Sequence, residues 1–181
     1  LKSTNNADNS TDHGPDRAKG PLPDLLGETL SYFDNDYTGA SYNAGNITNL
    51  SALNVPDNFS GAIKAQSWFT PMDGPGNKKV FAYNYDAVNQ FQNARFGTLT
   101  TSTPWNYTAA LSSSFSESVQ TSGGLSAYDK NGNISQLKRT NKNGTTIADY
   151  NYQYAVGKNQ LTSITGSPEA INYLYNDIGQ M

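Results

Sequence analysis

The residue types that carry most protein chemistry are sparse in this 181-residue chain, so their spacing decides what they could do. His13 is the single histidine and stands in a polar, proline-containing tract. That excludes a multi-histidine metal site, and a histidine in such a tract leaves little for a Ser-His-Asp relay. Cysteine is absent, which removes disulfides and thiolate ligands. Asp34-Asn35-Asp36-Tyr37-Thr38-Gly39 sets oxygen ligands at alternate positions with glycine sixth, as a calcium loop does. Its twelfth position, however, is Gly45, where such a loop needs a bidentate Glu. Asp129-Lys130-Asn131-Gly132-Asn133 has a similar texture and is better explained as a hairpin turn. The carboxylates Asp73, Asp86, Glu117, Asp129, Asp149, Glu169 and Asp177 fall mostly at expected turns, with no spacing that sets two acids across a cleft. No phosphate-cradling glycine loop precedes a helix. The expectation is a chain without catalytic, cofactor or metal residues, and not an enzyme by itself.

What remains is a large stock of aromatic rings: 12 Tyr, 7 Phe and 2 Trp. Trp68, Trp105 and the tyrosines could stack on sugar rings, which makes a surface adhesin or glycan-binding module the alternative function. The expectation is instead that Tyr85, Tyr128, Tyr152 and Tyr154 pack across strands, each hydroxyl finding solvent or a backbone partner. The hydrophobic fraction is 35% and mean hydropathy −0.65, so the aromatics are expected to supply much of any core. A net charge of −3 leaves no basic footprint for nucleic acid. The most basic run, Lys138-Arg139-Thr140-Asn141-Lys142, reads as an exposed strand end. No apolar run approaches the ~20 residues of a membrane span, and no signal peptide begins at Leu1.

The elements that must position these rings are strands and turns. Residues 1–24 are polar and hold Pro15, Pro21 and Pro23, and they read as a poorly ordered loop or linker. From Leu25 to Met181 the chain turns to short runs of Tyr, Ile, Thr and Phe punctuated by Asn and Gly. Tyr150-Asn151-Tyr152-Gln153-Tyr154 and Phe81-Ala82-Tyr83-Asn84-Tyr85 alternate with period two, the mark of a strand with one wet face. Asp73-Gly74, Gly123-Gly124, Asn131-Gly132 and Asn143-Gly144 supply the positive φ angles of tight turns. Only Asp24–Leu30 is left as a candidate for a short helical turn. The fold class is all-β. Asn-x-Ser/Thr sequons at Asn46, Asn58, Asn106, Asn133 and Asn143 are what this composition produces by chance.

Self-similarity is the strongest signal. Tyr42 is followed by Gly45, Asn46 and Ile47, then Leu50; Tyr85-Asp86 by Phe91, then Ala94. Tyr128-Asp129 is followed by Gly132, Asn133 and Ile134, then Leu137; Tyr154 by Gly157 and Leu161, then Ile164. A further copy opens with Tyr175 and Gly179. Each unit is a strand ending in Tyr, a turn of Asp, Asn and Gly, and an apolar residue with a second one three positions on. A lone hairpin cannot bury its Tyr-bearing face, so neighbouring units must pair into a sheet. The spacing of three would split the apolar pair between opposite faces of a flat strand, which predicts a bulge or strong local twist in each unit. Strand edges left open by such a ribbon invite further pairing.

Tyr128-Asp129-Lys130-Asn131-Gly132-Asn133-Ile134, with Leu137 and Arg139, resembles the YD motif of Rhs/YD-repeat proteins. The order of segments over residues 25–181 is similar to the Bacteroidetes-type branch. It runs from Leu25-Leu26-Gly27-Glu28-Thr29-Leu30-Ser31-Tyr32 through Trp68 and Gly76–Gln90 to Gly157-Lys158-Asn159-Gln160-Leu161-Thr162. The resemblance implies a ribbon of β-hairpins spiralling into a hollow shell, secreted or held at the outer cell surface, that encloses or presents a C-terminal toxin or effector region. The partners it implies are the rest of that shell, the enclosed region, and a type IX-like secretion machinery or an immunity protein. The Asp-Pro-x-Gly core motif and a variable terminal domain are not present in these residues, so self-cleavage and toxin activity do not carry over.

Overall fold

A computed structural model describes residues 3–4, 26–33, 53, 55–70, 78–103, 106–176 and 178–179. Eleven strands form among them: β1 (Ser3–Thr4), β2 (Gly27–Ser31), β3 (Ala65–Phe69), β4 (Lys78–Tyr85), β5 (Phe91–Thr103), β6 (Asn106–Leu111), β7 (Glu117–Ser118), β8 (Gln136–Thr140), β9 (Thr146–Tyr154), β10 (Leu161–Ser167) and β11 (Ile171–Asn172). They make an open antiparallel sheet in the order β1-β2-β3-β4-β5-β7-β8-β9-β10-β11, with β6 on β5 beside that path. The all-β expectation holds, and so do the two alternating strands: β4 ends on Tyr85 and β9 on Tyr154. Among the described residues no helix is long and apolar enough to cross a membrane.

Two details differ from the sequence expectation. Of Asp24–Leu30, the one candidate helical turn, Asp24 and Leu25 lie outside the described residues and Gly27–Leu30 is strand: Thr29 pairs with Ser67 and Leu30 with Gln66. Gly27, Thr29 and Ser31 face inward in alternation, so tertiary pairing overrides the weak local preference. Within the expected N-terminal loop, Ser3–Thr4 add to the edge of β2 opposite Thr29 and Glu28. The other residues of 1–24 lie outside the described ones.

The chain divides into two compact units, Leu1–Asn84 with Arg95–Ser112, and Tyr85–Ala94 with Ser113–Met181. In the first, Leu53, Val55, Ala65, Val80, Ala82 and Leu99 form the buried cluster, and Leu111 packs against it. The inner sheet face is built of small side chains, Thr29, Ser31, Ala65, Ser67, Val80 and Ala82. On the alternate positions Trp68, Phe81, Tyr83 and Phe96 make a partly exposed ring layer: Trp68 to Phe81 is 5.6 Å between centroids, and Phe81 to Phe96 is 5.5 Å. Buried Lys64 is paired with Asp57 at 2.5 Å. In the second unit Val119, Ala127 and Leu137 are the buried centre, ringed by Phe91, Tyr128, Ile134, Tyr150 and Tyr152. The aromatics thus flank the cores and do not fill them.

Candidate functional site

The second unit is assembled from one turn used repeatedly. At Asp86, Asp129 and Asn141 the first residue of the turn donates its N–H to the carbonyl four residues on (Gln90, Asn133 and Thr145), at 2.9 Å each time. The N–H of the fourth residue returns to the first carbonyl: Asn89 to Asp86 at 3.0 Å, Gly132 to Asp129 at 3.1 Å, Gly144 to Asn141 at 3.0 Å. Thr121 and Gly124 repeat the pattern, and Gly179 bonds the Asn176 carbonyl in the same way. The fourth residue has positive φ throughout: Asn89 66°, Gly124 76°, Gly132 83°, Gly144 76° and Gly179 79°. This is the three-residue hairpin loop, a type I turn closed by a left-handed residue that forms a bulge. In Asn131-Gly132 and Asn143-Gly144 the glycine alone takes positive φ.

The side chain of the first residue explains why it is Asp or Asn. Asp129 Oδ1 accepts from the N–H groups of Asn131 (2.8 Å) and Asn133 (2.9 Å). Asp86 Oδ1 accepts from Val88 and Gln90, and Asn141 Oδ1 from Asn143 and Thr145. Backbone donors that a turn leaves unpaired are satisfied locally. The Asn133 side-chain amide, followed by backbone N–H groups, holds the Asp129 carboxyl below its ordinary value. Asp129 Oδ2 meets Asn133 Nδ2 at 2.9 Å, so both carboxylate oxygens serve the turn. The turn at Ala155 is one residue longer: Ala155 N–H reaches the Gln160 carbonyl and Gly157 takes φ 72°. That extra residue is why Leu161 follows Tyr154 by seven positions where Ile134 follows Tyr128 by six.

The tyrosines of the repeat register make a contact of their own. Tyr128 donates its hydroxyl to the carbonyl of Phe91, Tyr154 to that of Ile134, and Tyr175 to that of Leu161, each at 2.9 Å. Phe91, Ile134 and Leu161 are the first apolar residues after the preceding Tyr turns. Each unit is therefore fastened, through the tyrosine that opens its turn, to the backbone just past the turn of the unit before it. Burial, and then the negative charge of Asp86, raise the Tyr128 phenol above its ordinary range. Burial, then Asp129 and Tyr152, do the same for Tyr154. Both effects keep the hydroxyl protonated and able to donate. Tyr85 stands edge-on to Phe91, 6.3 Å between centroids.

Register supports the spacing of three in the unit that follows Tyr154. Leu161 faces Tyr154 and Ile164 faces Tyr152, with a register shift between Leu161 and Ser163. Tyr152 and Tyr154 share a face, so the bulge at Thr162 brings Leu161 and Ile164 onto that same face. In β8 the pairing with β9 begins at Gln136 and leaves out Ile134, and its own shift lies between Arg139 and Thr140.

Of the repeat positions read from sequence, the structure brings together Tyr85, Asp86, Tyr128, Asp129, Gly132, Asn133, Tyr154, Gly157, Tyr175 and Gly179 in the second unit. Tyr42, Gly45, Asn46, the calcium-like stretch from Asp34, Asp73-Gly74 and Trp105 lie outside the described residues. Sequence reasoning missed the acceptor carbonyls, because any residue type can supply one. It also missed Asn159, whose Oδ1 accepts from Asn131 Nδ2 and Asn133 Nδ2 at 3.0 Å and ties two turns together. Trp68, the candidate sugar platform, is in ring contact with Phe81 and Phe96. Comparison with protein-family models, curated proteins and solved structures gives no match.

Proposed function

We propose that this chain is a non-catalytic wall segment of a large secreted or cell-surface Rhs/YD-repeat protein, and that its work is to build a β-shell enclosing or presenting a C-terminal toxin or effector region. The observation that carries the proposal is the recurring tyrosine contact: three successive units use the same residue to reach the same backbone position of the unit before. A contact of that kind adds units one upon another without limit, which suits a wall better than a site where one substrate is bound. The tyrosine hydroxyls and turn carboxylates are occupied in holding backbone, which leaves them little to offer a reaction. The aromatic rings of the first unit lie against one another, which favours packing over the glycan-binding alternative.

The test is the size and place of the native product. Antibodies against the 181-residue chain are expected to detect a polypeptide several times longer, in the secreted or surface fraction of the source cells. A free product of about this length inside the cell would overturn the proposal.

A further inference from the structure

The chain contains two Asn-Gly pairs, and each stands in the same tripeptide: Lys130-Asn131-Gly132 and Lys142-Asn143-Gly144. In such a pair the backbone nitrogen of the glycine can attack the amide carbon of the asparagine side chain, because no Cβ shields that nitrogen. The other asparagines of these turns are followed by residues with side chains: Asn133 by Ile134, Asn141 by Lys142 and Asn159 by Gln160. The two Asn-Gly pairs are therefore the places where this reaction is least obstructed.

The fold gives both pairs one backbone, with Asn third and Gly fourth in the turn. The N–H of Asn131 reaches Asp129 Oδ1 and that of Asn143 reaches Asn141 Oδ1, each at 2.8 Å. Gly132 N–H meets the Asp129 carbonyl at 3.1 Å, and Gly144 N–H meets the Asn141 carbonyl at 3.0 Å. Both asparagines are exposed, so water reaches each of them. Their side chains differ. Asn131 Nδ2 donates to Asn159 Oδ1 at 3.0 Å, whereas among the described residues the Asn143 side-chain amide has no hydrogen-bond partner. Charge differs as well. The Asp129 carboxyl is held below its ordinary value by Asn133 first, and then by the N–H groups of Asn131 and Gly132. That negative charge opposes removal of the Gly132 proton, while the first residue of the other turn, Asn141, is neutral.

We propose that Asn143 is a self-modification site, converted through a cyclic imide to aspartate and isoaspartate, and that the bond from Asn131 to Asn159 keeps its counterpart intact. The Gly144 nitrogen gives its proton to water and bonds to Asn143 Cγ. The side-chain nitrogen takes up a proton and leaves as ammonia. Water then opens the ring at either carbonyl. Breaking the bond from Cγ to the Gly144 nitrogen leaves ordinary aspartate, and breaking the bond from the main-chain carbonyl leaves isoaspartate. Either product replaces a neutral amide by a carboxylate, and no oxidant or reductant is consumed. In isoaspartate the chain runs through the side chain and is one carbon longer. The added carbon displaces Gly144 N–H from the Asn141 carbonyl, which also accepts from Phe115 N–H at 3.0 Å. Modification therefore loosens the end of the β8–β9 hairpin that lies beside Phe115. This holds whether or not the chain is part of a shell.

Peptide mass mapping of the 181-residue chain, aged in neutral buffer, tests the proposal, with labelling by an isoaspartyl methyltransferase as a second reading. Acid product at position 143 is expected to build up at least about fivefold faster than at 131, the factor that one neutral hydrogen bond supplies. Asn159→Ala should speed the reaction at Asn131 by about fivefold and leave Asn143 unchanged. Asn159→Asp keeps an oxygen for Asn131 Nδ2 and should leave Asn131 slow. In concentrated urea the two identical tripeptides should react at matching rates. Equal rates in the folded chain overturn the proposal, as does a difference that persists in urea, since it would then come from neighbouring sequence. So does an Asn159→Ala chain in which Asn131 gains nothing over Asn143.

Discussion

Substituting Tyr154 by Phe leaves its ring in place and deprives the Ile134 carbonyl of its donor. A hydrogen bond of this kind is worth about 1 kcal/mol net, and Tyr154→Phe is expected to lower stability by that amount in urea titration, as is Tyr128→Phe. No loss in either variant would mean that the hydroxyls reach water equally well. The turn residues make a second prediction. Gly132→Ala places a side chain at φ 83° and is expected to cost roughly 1–2 kcal/mol. Asn89→Gly at φ 66° should stay within about 0.5 kcal/mol of wild type, because asparagine already tolerates that conformation. Equal losses at the two positions would show that φ does not govern the turn. The turn chemistry was legible from Asp, Asn and Gly in order, since each has a conformational reason to be there. The acceptor carbonyls were not legible, because a main-chain group leaves no trace in residue identity.

At the level of strands and hairpins, β10 holds two features that a pattern of residue types only half reveals. The bulge at Thr162 was legible as a spacing of three between Leu161 and Ile164 beside a strand of strict period two. Gly166 lies opposite Tyr150, and a Cβ on it would sit 1.9 Å from the Asp149 carbonyl oxygen. Backbone cannot yield as a side chain can, so Gly166→Ala should push β10 away from β9 and cost several times what Gly132→Ala does. Hydrogen exchange across β9 and β10 reads this directly: faster exchange at both strands is expected, and unchanged protection would mean that the strands can part without loss. The sequence pattern also misassigns the strand Gly27–Ser31, whose residues have no period of their own and are held by partners on both sides.

Across the whole molecule, the composition suggested cores rich in aromatic rings, yet among the described residues the buried ones are Leu, Val and Ala together with Thr, Ser, Lys64, Lys78 and Gln92. Small residues let the packed layers approach closely, and the larger rings then cover the remaining sheet face. A count of apolar residues cannot distinguish the two arrangements. Stability should fall at both ends of the pH scale for reasons placed in the second unit. The Tyr128 and Tyr154 phenols are raised by burial above their ordinary 10.0, so their contribution is complete below pH 10 and is lost as pH rises through the raised values. Asp129 is held below its ordinary 3.8, so its contribution is present above that pH and is lost as pH falls through the lowered value. Thermal denaturation across pH should show a plateau between these limits, and a steady slope through neutral pH would contradict the assignment.

The claim on which the rest depends is that each hairpin unit is fastened to the one before it by a tyrosine hydroxyl. Residue-resolved hydrogen exchange of Tyr154→Phe beside the wild type measures this most directly. The account predicts exchange faster by about fivefold, corresponding to ~1 kcal/mol, both in the hairpin that Tyr154 opens and in the Tyr128–Thr140 segment that supplies its acceptor. Acceleration confined to the residues next to position 154, with the Tyr128–Thr140 segment unchanged, would contradict it.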